Sequence, residues 1–407
     1  MTARDWSSFS KRFPHLSPAW RRSFHKSLSR WFDANKRSLP WRETRDPYAI
    51  WISESMLQQT QVATVIGYFH RFLDRFPTVI DLAAAEEEEV LALWAGLGYY
   101  RRARGLHAAA KIVAEQYAGV FPKDVDSIRT LPGIGRYTAG AVASIAYDHP
   151  APILEANTER VFARLLQLSG DTKGKPAQSS LWDFASWILE DLKQIGPGRL
   201  NQAAMELGSL ICKPRDPQCS TCPLVKQCPT HAAGLTDQIP QRTVKSSPTP
   251  LHHAALLISR GDSWLMRLNR AGSWWTGLWD LPRCDITEHG WLDDEKMLKR
   301  SAPKNTSRKS EQADSNWDDA RLQLLSTEVE RHLSLPCKIT SREQVHKHGV
   351  TRYRITVECF RAEVSRKTAD KLERDSWQWC DRSKLAALPL TAPAKAILKK
   401  QGIFIEG

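Results

Sequence analysis

Two glutamates and one group of cysteines stand where their residue types could do chemistry. Glu54 is the one acid in Trp51-Ile52-Ser53-Glu54-Ser55-Met56-Leu57-Gln58-Gln59-Thr60-Gln61-Val62, an otherwise apolar and amide-rich stretch. Burial in such surroundings raises a carboxyl pKa and fits it to give up a proton near neutrality. Glu155 follows the apolar run Ile153-Leu154 and precedes Asn157-Thr158-Glu159-Arg160, an acid set just ahead of a new helix. Cys212, Cys219, Cys222 and Cys228 form C-x6-C-x2-C-x5-C. Four soft thiolates so close suit iron–sulfur or zinc, and the spacing alone does not separate the two. Cys284, Cys337, Cys359 and Cys380 are scattered. That distribution reads as one metal site plus free thiols in a reducing cytoplasmic compartment, not as a disulfide framework.

The elements that must position these groups are helices. Leu131-Pro132-Gly133-Ile134-Gly135 breaks two apolar segments, Val125–Leu131 and Ala139–Ala146. Proline fixes φ and glycine takes positive φ freely, so the pattern predicts helix, tight hairpin, helix. Backbone N–H groups around Gly133 and Gly135, with the next helix N-terminus, make a ready phosphate site. Ala19–Asn35 is amphipathic, with Phe24, Leu28, Trp31 and Phe32 at helical spacing. Regular helical patterns with short links make residues 20–230 an all-α domain, preceded by a flexible stretch 1–19. Arg37, Trp41 and Arg42 in Arg37-Ser38-Leu39-Pro40-Trp41-Arg42, and Leu97 and Tyr99 in Gly96-Leu97-Gly98-Tyr99-Tyr100-Arg101-Arg102-Ala103-Arg104, mix rings and cations as loops against nucleic acid do, rings entering the base stack and arginines meeting phosphates. Leu57, Gln58, Gln59 and Thr60 lie between two helical patterns, and the paired amides could bond base edges or fill a vacated place in a duplex. Residues 231–250 read as a Pro/Ser/Thr-rich linker, and 251–407 as an α+β domain, with residues 300–316 a polar loop inside it.

Charge narrows the partner. Lys and Arg number 58 against 45 Asp and Glu, a net +13. That balance favours a polyanion. No run of about 20 apolar residues marks a membrane span, and no apolar segment in the first residues marks a secretory signal.

Taken together, these motifs resemble the MutY adenine DNA glycosylases of the endonuclease III superfamily. The matches are Leu39-Pro40-Trp41-Arg42, Ser53-Glu54 through Val62, Gly96–Tyr100, Leu131–Ala141, Asn157 with Arg160, Asn201-Gln202-Ala203 with Leu207-Gly208, and the four cysteines. The resemblance implies an all-α helix-hairpin-helix core with a [4Fe–4S] cluster, and a C-terminal α+β domain of Nudix-like (MutT) fold. It implies a monomer acting on double-stranded DNA, removing adenine opposite 8-oxoguanine or guanine. Glu54 then resembles the general acid, and Glu155 the carboxylate facing the sugar cation. Tyr137 and Asn157 resemble residues that line the pocket and orient those acids, with Tyr137 where bifunctional relatives carry a Schiff-base lysine. Gln59 and Tyr99 resemble residues entering the duplex. Three positions depart from the family pattern. Glu155-Ala156 replaces Asp-Gly, and Val350-Thr351-Arg352 replaces Phe-Ser-His, leaving Thr351 the hydroxyl. Glu328-Val329-Glu330 is only a remnant of a Nudix metal helix. A thymine–guanine mismatch glycosylase of the same fold and a catalytically weak mismatch-binding protein are the alternative readings.

Overall fold

The structure, a computed structural model, describes residues 5–404 apart from 194, 242–246, 271, 273, 288–318, 371 and 373–375. The polar loop expected at 300–316 lies outside the described residues. The chain forms two compact units, Met1–Glu86 with Arg101–Val244, and Glu87–Tyr100 with Lys245–Gly407.

The first unit is helical. Its helices are α1 (Ser7–Arg12), α2 (Pro18–Asn35), α3 (Pro47–Leu57), α4 (Val62–Arg75) and α5 (Val79–Ala84). After α6 (Glu87–Trp94), which belongs to the second unit, come α7 (Arg101–Gln116), α8 (Val125–Thr130), α9 (Arg136–Tyr147), α10 (Ala156–Leu166), α11 (Lys175–Trp187), α12 (Pro197–Leu210) and α13 (Pro229–Ala232). Starts are written locally: Ser17 caps α2, Asp46 caps α3 and Asp124 caps α8, each accepting first-turn N–H groups. Proline stands in the first turn of α2, α3, α11 and α12, where no N–H is missed. α3 is buried nearly throughout, from Tyr48 to Met56, and packs against α4, α7 and α9. α12 packs on α2, α9 and α10. The two helices that end beside the chemistry are therefore held from several sides.

The N-terminal stretch corrects an expectation of flexibility. Phe9, Phe13 and Leu16 are buried in one core with Phe24, Phe162, Phe184 and Trp187. Phe9 meets Phe13 at 5.1 Å and Trp187 at 6.2 Å between ring centroids. Trp6, Phe9 and Phe13 recur at helical spacing, and large rings gain enough from burial to order a six-residue helix. The linker 231–250 is likewise anchored within its first half: Ile239 is buried and its carbonyl accepts from Arg164 at 2.8 Å.

The second unit is built on a mixed sheet with strand order β3-β2-β1-β6-β5. Its strands are β1 (Thr249–Arg260), β2 (Ser263–Leu268), β3 (Trp279–Asp280), β4 (Arg283–Asp285), β5 (Lys338–Val350), β6 (Tyr353–Glu363) and β7 (Trp377–Cys380). β1 runs parallel to β6, from Thr249 opposite Tyr353 to Ile258 opposite Ala362, and the other pairs are antiparallel. The centre of β1, residues 253–258, is buried without alternation, as expected of a strand covered on both faces. One face packs Leu256, Ile258 and Phe360 against Leu325 and Val329 of α14 (Asp319–Leu333). The other packs Leu257, Val357 and Cys359 against Ile397 and Leu398 of a C-terminal helix, Ala392–Lys400. β5 and β6 meet in a hairpin whose tip carries Thr351 at φ +50°, exposed.

Candidate active site

Glu54 sits in the last turn of α3, 3% exposed, and the Tyr137 hydroxyl donates to its Oε2 at 2.5 Å. Burial pushes the Glu54 carboxyl up to about 7, and the nearby Glu155 charge adds to the rise, against the Tyr137 bond and the Arg42 charge, which lower it. Tyr137 stands on the first turn of α9, and its phenol is raised well above its ordinary value, so it remains a donor.

Glu155 is the N-cap of α10. Its Oε2 accepts from Asn157 N at 2.8 Å and its Oε1 from Thr158 N at 2.9 Å, while Thr158 Oγ1 accepts from Glu155 N at 2.9 Å. A reciprocal capping box thus fixes the carboxylate at the positive end of a helix. Burial raises its pKa, opposed by the two backbone donors and the Arg160 charge. One carboxyl is poised to carry a proton, and the other has donors arranged for its charged form.

A cavity of about 400 Å³ brings these groups together: Glu54, Tyr137, Glu155 and Asn157 line it. Arg37, Trp41, Arg42, Leu57, Gln58, Gln59 and Thr60 form more of its wall, so two of the three loops read from sequence meet there. The two amides of Gln58-Gln59 part company. Gln58 Nε2 reaches inward to Thr138 Oγ1 at 3.3 Å, whereas Gln59, at φ +59°, is exposed. Trp41 is buried edge-on to Phe69 at 5.5 Å. Leu97 and Tyr99 lie in the second unit, Leu97 buried and Tyr99 50% exposed at φ +49°.

Glu206 of α12 was not singled out from the sequence. Its side chain is 1% exposed and accepts from Arg37 Nη2 at 2.7 Å and Arg42 Nη2 at 2.9 Å. Burial alone would raise it, but the two guanidiniums outweigh that and bring it to about 2. The available signal was an acid in the apolar run Ala203-Ala204-Met205-Glu206-Leu207, with two unexplained arginines far upstream. The arginines are therefore committed to a permanently charged wall of the cavity.

In the hairpin, Gly133 has φ +77°, and a Cβ there would lie 3.2 Å from Gly105 Cα, so both conformation and packing require glycine. Gly135 caps α9 at φ −90°, and a Cβ there would meet nothing within 4 Å. The bare backbone at Gly135 is not demanded by the fold.

Behind the cavity, Arg160 Nη2 donates to Asn157 Oδ1 at 2.9 Å and Gly208 O at 2.7 Å, and its Nε to Cys212 O at 2.6 Å. Arg164, also on α10, donates through Nη1 to Cys212 Sγ at 3.1 Å, and bonds the carbonyls of Lys213, Thr236 and Ile239. The four cysteines are close enough for their charges to act on one another: burial first, then Cys212, Cys228 and Cys219, push the Cys222 thiol up to about 12. Among the described residues no three His, Cys, Asp or Glu side chains close on a single ion. Four thiols whose charges reach one another, one of them accepting from a guanidinium, are a soft donor set that suits iron–sulfur or zinc.

Gly208 lets α12 approach this network. A Cβ there would lie 2.7 Å from Asn157 Cβ and 2.8 Å from its carbonyl oxygen. Gly208→Ala is expected to cost about 1–3 kcal/mol of stability by overpacking. It should also push Asn157 and the Glu155 cap out of place, lowering any catalytic rate more than that stability loss explains. Thermal melts beside rate measurements check this.

A helix, glycine hairpin and helix beside a carboxylate-lined cavity define the helix-hairpin-helix base-excision class, and residues 52–186 match the HhH-GPD superfamily base excision DNA repair protein family. An adenine DNA glycosylase of Buchnera aphidicola subsp. Acyrthosiphon pisum is 34% identical over 278 residues, covering 67% of this chain and 78% of that protein. Those of Rattus norvegicus and Homo sapiens are each 44% identical, over 51% of this chain and 42% and 39% of theirs. The chain belongs to the adenine DNA glycosylase family. It spans about two fifths of the length of those mammalian relatives.

Proposed function

We propose that this chain removes adenine mispaired with 8-oxoguanine or guanine in double-stranded DNA, by hydrolysis and without cutting the strand. The observation that carries the reading is the Glu54–Tyr137 pair opposite Glu155 in a cavity of about 400 Å³. The target base must leave the stack to reach these groups. Glu54, protonated below about 7, gives its proton to N7 of the flipped adenine. The C1′–N9 bond then breaks with its electron pair on the base. Glu155 faces the oxocarbenium-like sugar, water adds to C1′, and the proton that water sheds returns to Glu54. The Gln58 amide supplies a polar group at the cavity wall for the edge of the base. Gln59 points outward to the space the base vacates. The open backbone at Gly135 and the α9 N-terminus suit a DNA phosphate. Among the described residues no lysine lines the cavity, and Tyr137 offers no amine for a Schiff base.

Single-turnover assays on A·8-oxoguanine, A·G and T·G duplexes test this. Alkali-labile sites should form in the two adenine duplexes, with no nick before alkali and no borohydride-trapped adduct. Excision confined to T·G, or a trapped lysine adduct, would overturn the reading.

We further propose that Cys212, Cys219, Cys222 and Cys228 hold a [4Fe–4S] cluster, which when bound supplies a rigid iron–thiolate staple for their loop. Arg160 and Arg164 join that loop to α10. Purified protein should be brown, with iron and acid-labile sulfide in equal amounts. Zinc without sulfide would sink this. The second unit fits a Nudix-like domain that reads the purine opposite adenine. Thr351 at the β5–β6 tip is the proposed contact, and without the paired glutamates of a Nudix metal helix no pyrophosphatase activity is expected.

A further inference from the structure

Arg102, in the first turn of α7, aims its guanidinium at the end of the helix that carries Glu54. Nη1 lies 2.8 Å from Ser55 O, 3.0 Å from Met56 O and 2.6 Å from Gln58 O. Those carbonyls fall where an α-helix runs out of intrahelical donors. Helices commonly solve this with a glycine in left-handed conformation, whose N–H and that of the next residue turn back onto the last carbonyls. α3 ends differently. The residue in left-handed conformation is Gln59, at φ +59°, a position uncommon for a side chain longer than Asn or Asp. The one backbone return nearby is Thr60 N to Leu57 O, at 3.3 Å. The arginine thus does the work of the missing glycine cap, and its positive charge also suits the negative end of the helix.

We propose that Arg102 is a positioning residue that holds Gln59 in its left-handed conformation, aimed out of the cavity at the duplex before DNA arrives. Arg102 bonds the backbone of Gln58 from outside the cavity and does not line it, whereas Gln58, Gln59 and Thr60 do. Nor is it among the groups that set the proton affinity of Glu54. Its effect is therefore expected on base extrusion rather than on proton transfer. A preset loop lowers the ordering cost that inserting a side chain into DNA would otherwise carry. This inference rests on the proposed role of Gln59 in the duplex.

The test is a double-mutant cycle on the full chain, read by the fluorescence of 2-aminopurine set opposite guanine in a duplex. That signal rises when the base leaves the stack and requires no excision. Arg102→Met keeps the side-chain length and removes every donor. It should lower the extruded fraction by about 10-fold to 10²-fold, with affinity for fully paired DNA nearly unchanged. In a Gln59→Ala background the same change should cost less than about twofold, because two residues acting through one contact are not additive. Arg102→Lys, which can bond some of the carbonyls, should fall between, and serves in the same cycle if Arg102→Met does not fold. On adenine substrates, the pH at which the single-turnover rate falls should not move. Additive losses in the cycle, or a pH midpoint displaced with the rate, would overturn the proposal and leave Arg102 an ordinary packing residue. Failure of the functional reading looks different, since the parent protein itself would then show no fluorescence rise.

Discussion

Glu54→Gln is expected to abolish adenine excision, by about 10²-fold or more, while duplex binding changes little. Gln keeps the shape of the side chain and still accepts from the Tyr137 hydroxyl, which now meets Glu54 at 2.5 Å. It cannot release a carboxylic proton. The same buried carboxyl sets two pH dependences. With its pKa near 7 in the folded protein, the acid form is lost as pH rises past that value, and the excision rate of the parent should fall with it. The folded chain also holds this proton where an unfolded one, with an ordinary value of 4.5, has released it. Between those two values the folded state binds more protons, so the stability Glu54 allows declines as pH rises from about 4 to about 7 and stays reduced above. Gln removes that decline. Thermal melts should show Glu54→Gln more stable than the parent at pH 8, by up to about 3 kcal/mol, with the difference vanishing near pH 4. A variant that is inactive yet more stable only at high pH is what a strained proton donor predicts. Equal stability at both pH values would mean that Glu54 is not held in the protonated form.

The acids, the hairpin and the cysteines were legible because each breaks a local rule. Glu54 is a charge in an apolar helix, Gly133 and Gly135 interrupt two helical patterns, and four thiols fall within one short loop. Local patterns also carried the helical unit and the strands around Ala254–Ile258 and Tyr353–Arg361. What could not be read were pairings across long separations. Glu206 meets Arg37 across 169 residues and Arg42 across 164. Its burial makes sense only once α12 is laid against the loop after α2. Arg102 reaches back 47 residues to Ser55, and nothing in the text of either segment announces it. The parting of Gln58 from Gln59 depends on one backbone angle. The N-terminal stretch is a different case: its residues are mostly polar, and the few rings at helical spacing gain their burial only against Trp187 and Phe184, far along the chain.

The second carboxylate should separate charge from reach. Glu155→Gln is expected to lower single-turnover excision by about 10² to 10³, for two reasons the structure joins. The charge facing the sugar cation is lost. The amide also turns one NH2 toward a backbone N–H, because Oε1 and Oε2 now each accept from a different residue of the first turn, Thr158 and Asn157. Losing half of a helix cap costs about 1 kcal/mol, so a small drop in melting temperature should accompany a large drop in rate. Glu155→Asp is the sharper variant. It keeps the charge and can still cap α10, so stability should hold. If the cavity is shaped around the longer side chain, withdrawing the carboxylate by about 1 Å should cost on the order of 10²-fold in rate. The capping box favours that outcome, since both oxygens and the Thr158 hydroxyl are already satisfied at 2.8–2.9 Å with glutamate in place. Ala156→Gly added to Glu155→Asp should recover little, because Ala156 is the first residue of α10, where alanine is at ease. A rate raised by the paired change would instead make Glu155 a tolerated stand-in for aspartate. A rate untouched by Glu155→Gln, in protein shown to be folded and DNA-bound, would remove this residue from the mechanism.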